Sequence, residues 1–198
     1  MRKVITTLVF GLMFACLQPI PTSIADIQPS NFDAIQWKMD YAKTYDQHPK
    51  EVQALVENLI AMREKWHLED KGPADLTETV TIAWCYADAT FTVSDVVSLI
   101  GAESRMKRKA VSRRGARGLT QIMMKEWGRP VLPYLTNPYD KRQAIRATVD
   151  ILHKKKVSYH GKKLTKWVAI QRYNGVGQES RDYVRTIRNF KKDLLKKS

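Results

Sequence analysis

Cysteine is scarce in this sequence: Cys16 and Cys85 are the two among 198 residues. If Cys16 leaves with a cleaved leader, Cys85 has no intramolecular partner and a disulfide framework is excluded. Cys85 is surrounded in sequence by Ile82, Ala83, Trp84 and Tyr86, the setting of a small buried apolar group rather than of a nucleophile. No stretch alternates convincingly with a period of two, so no substantial sheet is expected. Internal repeats are absent as well. The second half is short of acid: residues 101–198 hold 26 basic and 7 acidic side chains, a net of +19. Residues 26–100 hold 6 basic and 13 acidic ones, a net of −7. A division of this kind aims the C-terminal half at an anionic partner.

What is present begins with a leader pattern. Arg2 and Lys3 precede an apolar run over 4–17, and Ser23, Ile24 and Ala25 set small residues where a signal peptidase cuts. The run is short and soon meets Pro19 and Pro21, which disfavours a spanning helix. Residues 1–25 are therefore expected to be a cleaved signal peptide, with the mature chain starting at Asp26 in a periplasm. Lipid attachment at Cys16 fits poorly, because Met13 and Phe14 stand just upstream. For an exported chain the anionic candidates are peptidoglycan, with its peptide and lactyl carboxylates, and lipid headgroups. Nucleic acid is not expected.

The remainder reads as helices. Val52, Leu55, Val56, Leu59 and Met62 recur at helical spacing after Pro49. Further helices are expected over 79–87, 93–104, 141–155, 163–173 and from Ser180, where Tyr183, Ile187, Phe190 and Leu194 form one stripe. The expected organisation is an acidic helical segment over 26–76, a compact all-α domain over 77–192 and a basic tail over 193–198.

One carboxylate stands out. Val93, Val96, Val97 and Ile100 form an apolar arc at ~100° per residue, and Glu103 continues it. At the core edge such a group loses hydration, and its pKa rises toward the range a general acid needs. The alternative is a fraying last turn with Glu103 in water. Downstream, Gly115 and Gly118 flank Ala116 and Arg117, where small residues let backbone approach a ligand. Arg172-Tyr173-Asn174-Gly175 then ends a helix in a turn.

The ordered series Glu103-Ser104, Ser112, Gly115-Ala116, Gly118-Leu119, Gln121-Ile122-Met123, Tyr173-Asn174-Gly175 and Asp182-Tyr183-Val184 resembles the soluble lytic transglycosylase catalytic domain, related in fold to goose-type lysozyme. The resemblance spans about 78–190 and implies a lysozyme-like helical fold. It implies Glu103 as catalytic acid and base, with Ser104 following it and Ser112 near the cleaved bond. Gly118, Gln121 and Met123 would line the N-acetyl sugar subsites, Tyr173 would hydrogen-bond near the glutamate, and Asn174 would neighbour it. Met124, Ala144 and Thr148 depart from the family, which commonly has proline, asparagine and glycine there. No metal or cofactor is implied. The implied partner is the peptidoglycan glycan strand, cut between N-acetylmuramic acid and N-acetylglucosamine with a 1,6-anhydro end, by a monomer. The segment 26–76 is a candidate attachment to a secretion or conjugation machine. The rival readings are a lysozyme-like muramidase, a non-catalytic wall-binding or assembly protein, and a basic protein acting on membranes.

Overall fold

The computed structural model describes residues 49–69, 72–128, 131–157 and 163–196. The expected signal peptide, Cys16 and residues 26–48 and 70–71 of the acidic segment lie outside these. Seven helices make up the described chain: α1 (Lys50–Ala61), α2 (Pro73–Tyr86), α3 (Val93–Ser104), α4 (Met124–Trp127), α5 (Lys141–Lys156), α6 (Lys166–Asn174) and α7 (Gln178–Leu194). Beyond them the described residues hold isolated antiparallel bridges, Val111 with Arg117, Arg117 with Ile122, and Val157 with Lys163. The all-α expectation is met, in the arrangement of a lysozyme-like domain.

The central element is α3. Ten of its twelve residues are buried, from Val93 through Gly101 and again at Ser104. Its start is fixed by a reciprocal cap: the Asp95 amide donates to Thr92 Oγ1, and the Thr92 amide donates to the Asp95 carboxylate at 3.1 Å. That carboxylate also receives Lys191 of α7 at 2.6 Å and Lys166 of α6 at 2.9 Å. Burial pushes the Asp95 carboxyl up, but the two ammonium groups and the Thr92 hydroxyl outweigh it and hold the pKa below the ordinary range. One acid thus fastens three helices at one end of the bundle.

α3 lies between α2 and α7, while α5 packs on α6 and α2, and α1 closes over α2 and α7. One core joins α1, α2 and α3 through Leu59, Val80, Val96 and Ile100 to Phe190 of α7. A second gathers Phe91, Leu99, Leu152, Ile170 and Ile187, and a third sits under the 122–135 loop on Ile122, Leu135 and Ile151. Cys85 is buried in the first, as its neighbours implied.

Several boundaries differ from expectation. Pro73 occupies the first turn of α2, so that helix starts six residues before position 79 and runs through the 76/77 division. Its N-terminal turn is anchored by the buried Lys141 ammonium of α5, 2.7 Å from Asp75 and 2.5 Å from Glu78. The basic tail is shorter than expected, because Asp193 and Leu194 belong to α7. Leu194 is fully buried, and Asp193 binds Lys65 at 2.6 Å and accepts from Trp66 Nε1 at 3.0 Å. Among the described residues no helix is long and apolar enough to cross a membrane.

Candidate active site

Glu103 lies in the last turn of α3, one residue before its end at Ser104, and the chain after it does not fray. Arg105 and Met106 both take left-handed backbone, at φ 54° and 66°, and turn the chain sharply. The turn is held on both sides: the Arg105 amide donates to the Gly101 carbonyl, the Glu69 amide donates to the Arg105 carbonyl at 2.8 Å, and Met106 is buried. Strain of this kind persists only where surrounding contacts over-determine it. Ser104 points into its own helix: it is buried and donates to the Ile100 carbonyl at 3.2 Å. Ser104 thus stabilises the last turn of α3.

The Glu103 side chain is partly buried against Tyr183 of α7, whose hydroxyl donates to Oε1 at 2.5 Å. Burial raises its carboxyl to a pKa of about 7, against the opposing hydrogen bond from Tyr183, which lowers it. Tyr173 is close enough to feel the Glu103 charge. Burial first, then that charge, pushes both tyrosine pKa values far up, so both phenols stay protonated donors. The site thus holds one acid able to carry a proton at neutral pH and two phenols that do not titrate there.

The other carboxylates of the C-terminal half are placed elsewhere. Asp140 caps α5 through the Gln143 amide, Asp150 accepts from Tyr134, Asp182 pairs with Arg185, and Asp193 pairs with Lys65. Glu126 and Glu179 are exposed on α4 and at the start of α7. A second carboxylate flanking a scissile bond, as most glycosidases require, does not come from these.

The two tyrosines beside the glutamate take different partners. Tyr173 donates to the Thr120 carbonyl at 2.8 Å and meets Thr148 Oγ1 at 3.4 Å, while the direct bond to the glutamate comes from Tyr183. Thr148, one of the departures from the family pattern, thereby helps to orient Tyr173. Sequence reading missed Tyr183 as a site residue, although it was visible as the one polar-headed member of the α7 stripe. A tyrosine on a buried face needs a partner for its hydroxyl.

Gln121, at φ 52°, donates through Nε2 to the Gly118 carbonyl at 2.9 Å and to that of Ala110 at 3.2 Å. It braces the 110–122 loop from inside. Gly118 is needed in that loop for two reasons: its φ is +81°, and a Cβ there would lie 2.0 Å from the Pro138 carbonyl oxygen. Ser112 Oγ accepts from the Ala116 amide at 3.0 Å and closes the turn. Met123 is half-buried ahead of α4, and Asn174 is exposed at the end of α6. Trp167 lies partly buried with the Arg188 guanidinium 4.4 Å from its ring centre, and Lys155 stands over Trp127 at 5.2 Å.

Replacing Tyr183 by Phe is expected to lower turnover roughly tenfold, the scale of a lost hydrogen bond to a charged group. Since that bond favours the carboxylate form, its loss raises the Glu103 pKa further. The alkaline limb of the pH–rate profile then moves to higher pH. A limb that stays in place would show that the phenol does not act on Glu103.

Residues 88–196, more than half of the chain, match the family model described as the transglycosylase SLT domain. No curated protein and no solved structure matches it. The matched span contains Glu103, the 110–122 loop, Tyr173 and Tyr183. It supports a lytic transglycosylase-type, peptidoglycan-degrading function.

Proposed function

The chain belongs to the transglycosylase SLT domain family, and from that membership we propose that it is an exported lytic transglycosylase that uses Glu103 for both proton transfers. The observation that carries the reading is a single carboxyl with a pKa of about 7, hydrogen-bonded by Tyr183 at 2.5 Å. Protonated Glu103 donates to the glycosidic oxygen as the bond from C1 of N-acetylmuramic acid to O4 of N-acetylglucosamine breaks. The substrate's own 2-acetamido oxygen stabilises the positive charge that develops at C1. Glu103, now a carboxylate, takes the proton of the muramoyl C6 hydroxyl, and O6 bonds to C1 to close the 1,6-anhydro ring. Glu103 ends the cycle protonated, so atoms and charge balance without water.

Tyr183 steadies the carboxylate between the two transfers, and its phenol is too weak an acid to be titrated in the process. Tyr173 fixes the Thr120 carbonyl, and through it the loop that Gln121 and Gly118 shape beside the sugar. Ser112, Met123 and Asn174 belong to the same proposed sugar-binding surface.

Mass spectrometry of products from purified sacculi tests the reaction. Anhydro-muramoyl ends are expected. Reducing ends instead would make the protein a muramidase, and neither product from folded protein would leave a wall-binding role. We place the activity in the periplasm, with residues 26–76 as its attachment to an envelope-spanning secretion or conjugation machine. Residues 50–76 hold α1 and the first turn of α2 and belong to the folded core, so the test deletes residues 26–48. That deletion is expected to leave turnover on isolated sacculi near wild type while abolishing complementation of a gene deletion. Turnover lost with the segment would overturn the attachment role.

A further inference from the structure

The stretch from Arg105 to Arg117 carries seven cationic side chains and no acidic one. All seven are exposed, whereas Met106 and Ala116 within it are buried. Arg108 donates Nε–H to the Tyr139 carbonyl at 2.9 Å. Among the described residues no carboxylate pairs with any of the seven. Crowded like charges disfavour the compact state unless a ligand offsets them.

The placement of three of them is specific. The Gly115 amide bonds the Ser112 carbonyl at 3.0 Å, which sets Arg113 and Arg114 at the tip of a closed turn. Arg117 lies on the returning limb, bridged on one side to Val111 and on the other to Ile122. Three residues later the same limb presents the Thr120 carbonyl to the Tyr173 hydroxyl, beside Glu103. The arginine turn is thus continuous, through Arg117 to Thr120, with the limb that Tyr173 holds beside Glu103. Guanidinium groups match carboxylates in paired geometry. Of the apolar side chains in the stretch Met106 and Ala116 are buried and Val111 is exposed, a single valine where a lipid surface would need a larger apolar face.

We propose that Arg113, Arg114 and Arg117 form a carboxylate-reading rim that selects glycan strands whose stem peptides keep their carboxylates free. The proposal rests on the transglycosylase reading and adds a charge preference to it. The test compares kcat/KM on soluble, uncross-linked strands with that on the same strands after their carboxylates are capped as methylamides. At low ionic strength the free-carboxylate strands are expected to be preferred by about three- to tenfold, the scale of a few exposed ion pairs. The preference is expected to fall toward one near 1 M salt, where screening reaches ~3 Å. It should fall likewise in Arg113→Gln/Arg114→Gln/Arg117→Gln and persist in part in the matching triple Lys variant, which keeps the charge.

Equal rates on the two strands in the wild type, or an unchanged preference in the Gln variant, would overturn the rim. So would arginine-dependent pelleting with phosphatidylglycerol–phosphatidylcholine vesicles but not with sacculi, which would make the turn a membrane contact. If wild type cleaves neither strand, the transglycosylase reading itself fails. Co-sedimentation with capped and uncapped sacculi then decides the rim separately, and equal pelleting overturns it.

Discussion

Glu103→Gln is expected to reduce turnover of peptidoglycan by about 10³-fold or more, toward the upper end of what general acid–base catalysis contributes. The amide keeps the shape of the carboxyl group and can still meet Tyr183, but it can neither give a proton to the leaving oxygen nor take one from the C6 hydroxyl. Because both steps pass through the same group, no residual route bypasses it. Sugar binding is expected to persist, as pelleting with sacculi would register. The same substitution has a second signature. The native carboxyl titrates at about 7, against 4.5 for the free group. Between these values the folded protein holds a proton that the unfolded chain has lost, so wild-type stability falls as pH rises from about 4.5 through about 7. Gln carries no such penalty. The variant should therefore melt above wild type at pH 8 and lose that advantage at pH 4. A melting difference that does not change with pH would mean that Glu103 is not held protonated by its surroundings. Retained complementation of a gene deletion by the inactive variant would mean that catalysis is not the biological role.

How much of this was legible in the sequence follows from what each signal depends on. The bounds of α3 were readable to the residue, because Thr92 and Asp95 form a local cap and the apolar arc is continuous. Glu103 at the core edge followed from the same arc. The pairing of Glu103 with Tyr183 did not, because it joins residues 80 apart and depends on how α3 and α7 cross. The start of α2 was missed because Gly72-Pro73 reads as a break, whereas proline at the first turn begins the helix. Ser104, Ser112 and Gln121 illustrate a different limit. A motif fixes position along the chain, but a short polar side chain finds its partner in the backbone nearest to it, and here all three bond main-chain groups of their own segment. Asp193 was read as tail because lysines surround it, yet it ends the helix in a pair with its neighbour Lys196 and with Lys65 from beyond α1, a partner local sequence does not show.

Phe190→Ala is expected to destabilise the protein by about 3–5 kcal/mol, the range for removing a fully buried ring, and so to lower Tm on the order of 10 °C for a domain of this size. The ring has no exposed surface and lies between Trp66, at 4.8 Å between centroids, and Gly101 of α3. Gly101 supplies the sharper test. A Cβ there would stand 2.2 Å from Phe190 Cζ and 2.4 Å from Cε2, so the two helices meet at this position without room for a methyl group. In a helix free of tertiary contacts Gly→Ala gains about 1 kcal/mol. Here the overlap reverses the sign, and Gly101→Ala should destabilise by about 1–3 kcal/mol. In the Phe190→Ala background the clash is gone, and Gly101→Ala should become neutral or stabilising, which a double-mutant cycle registers as coupling of about 1–3 kcal/mol. Additive effects would mean that α3 and α7 do not touch there. The consequence reaches the chemistry, because α3 carries Glu103 two residues beyond Gly101 and α7 carries Tyr183 two turns before Phe190. Pushing the helices apart at Gly101 lengthens the 2.5 Å bond between the phenol and the carboxylate. Gly101→Ala is therefore expected to move the alkaline limb of the pH–rate profile upward, as Tyr183→Phe does, at temperatures where the variant is fully folded. A variant that is destabilised but keeps the wild-type pH profile would separate the packing of the two helices from the placement of the acid.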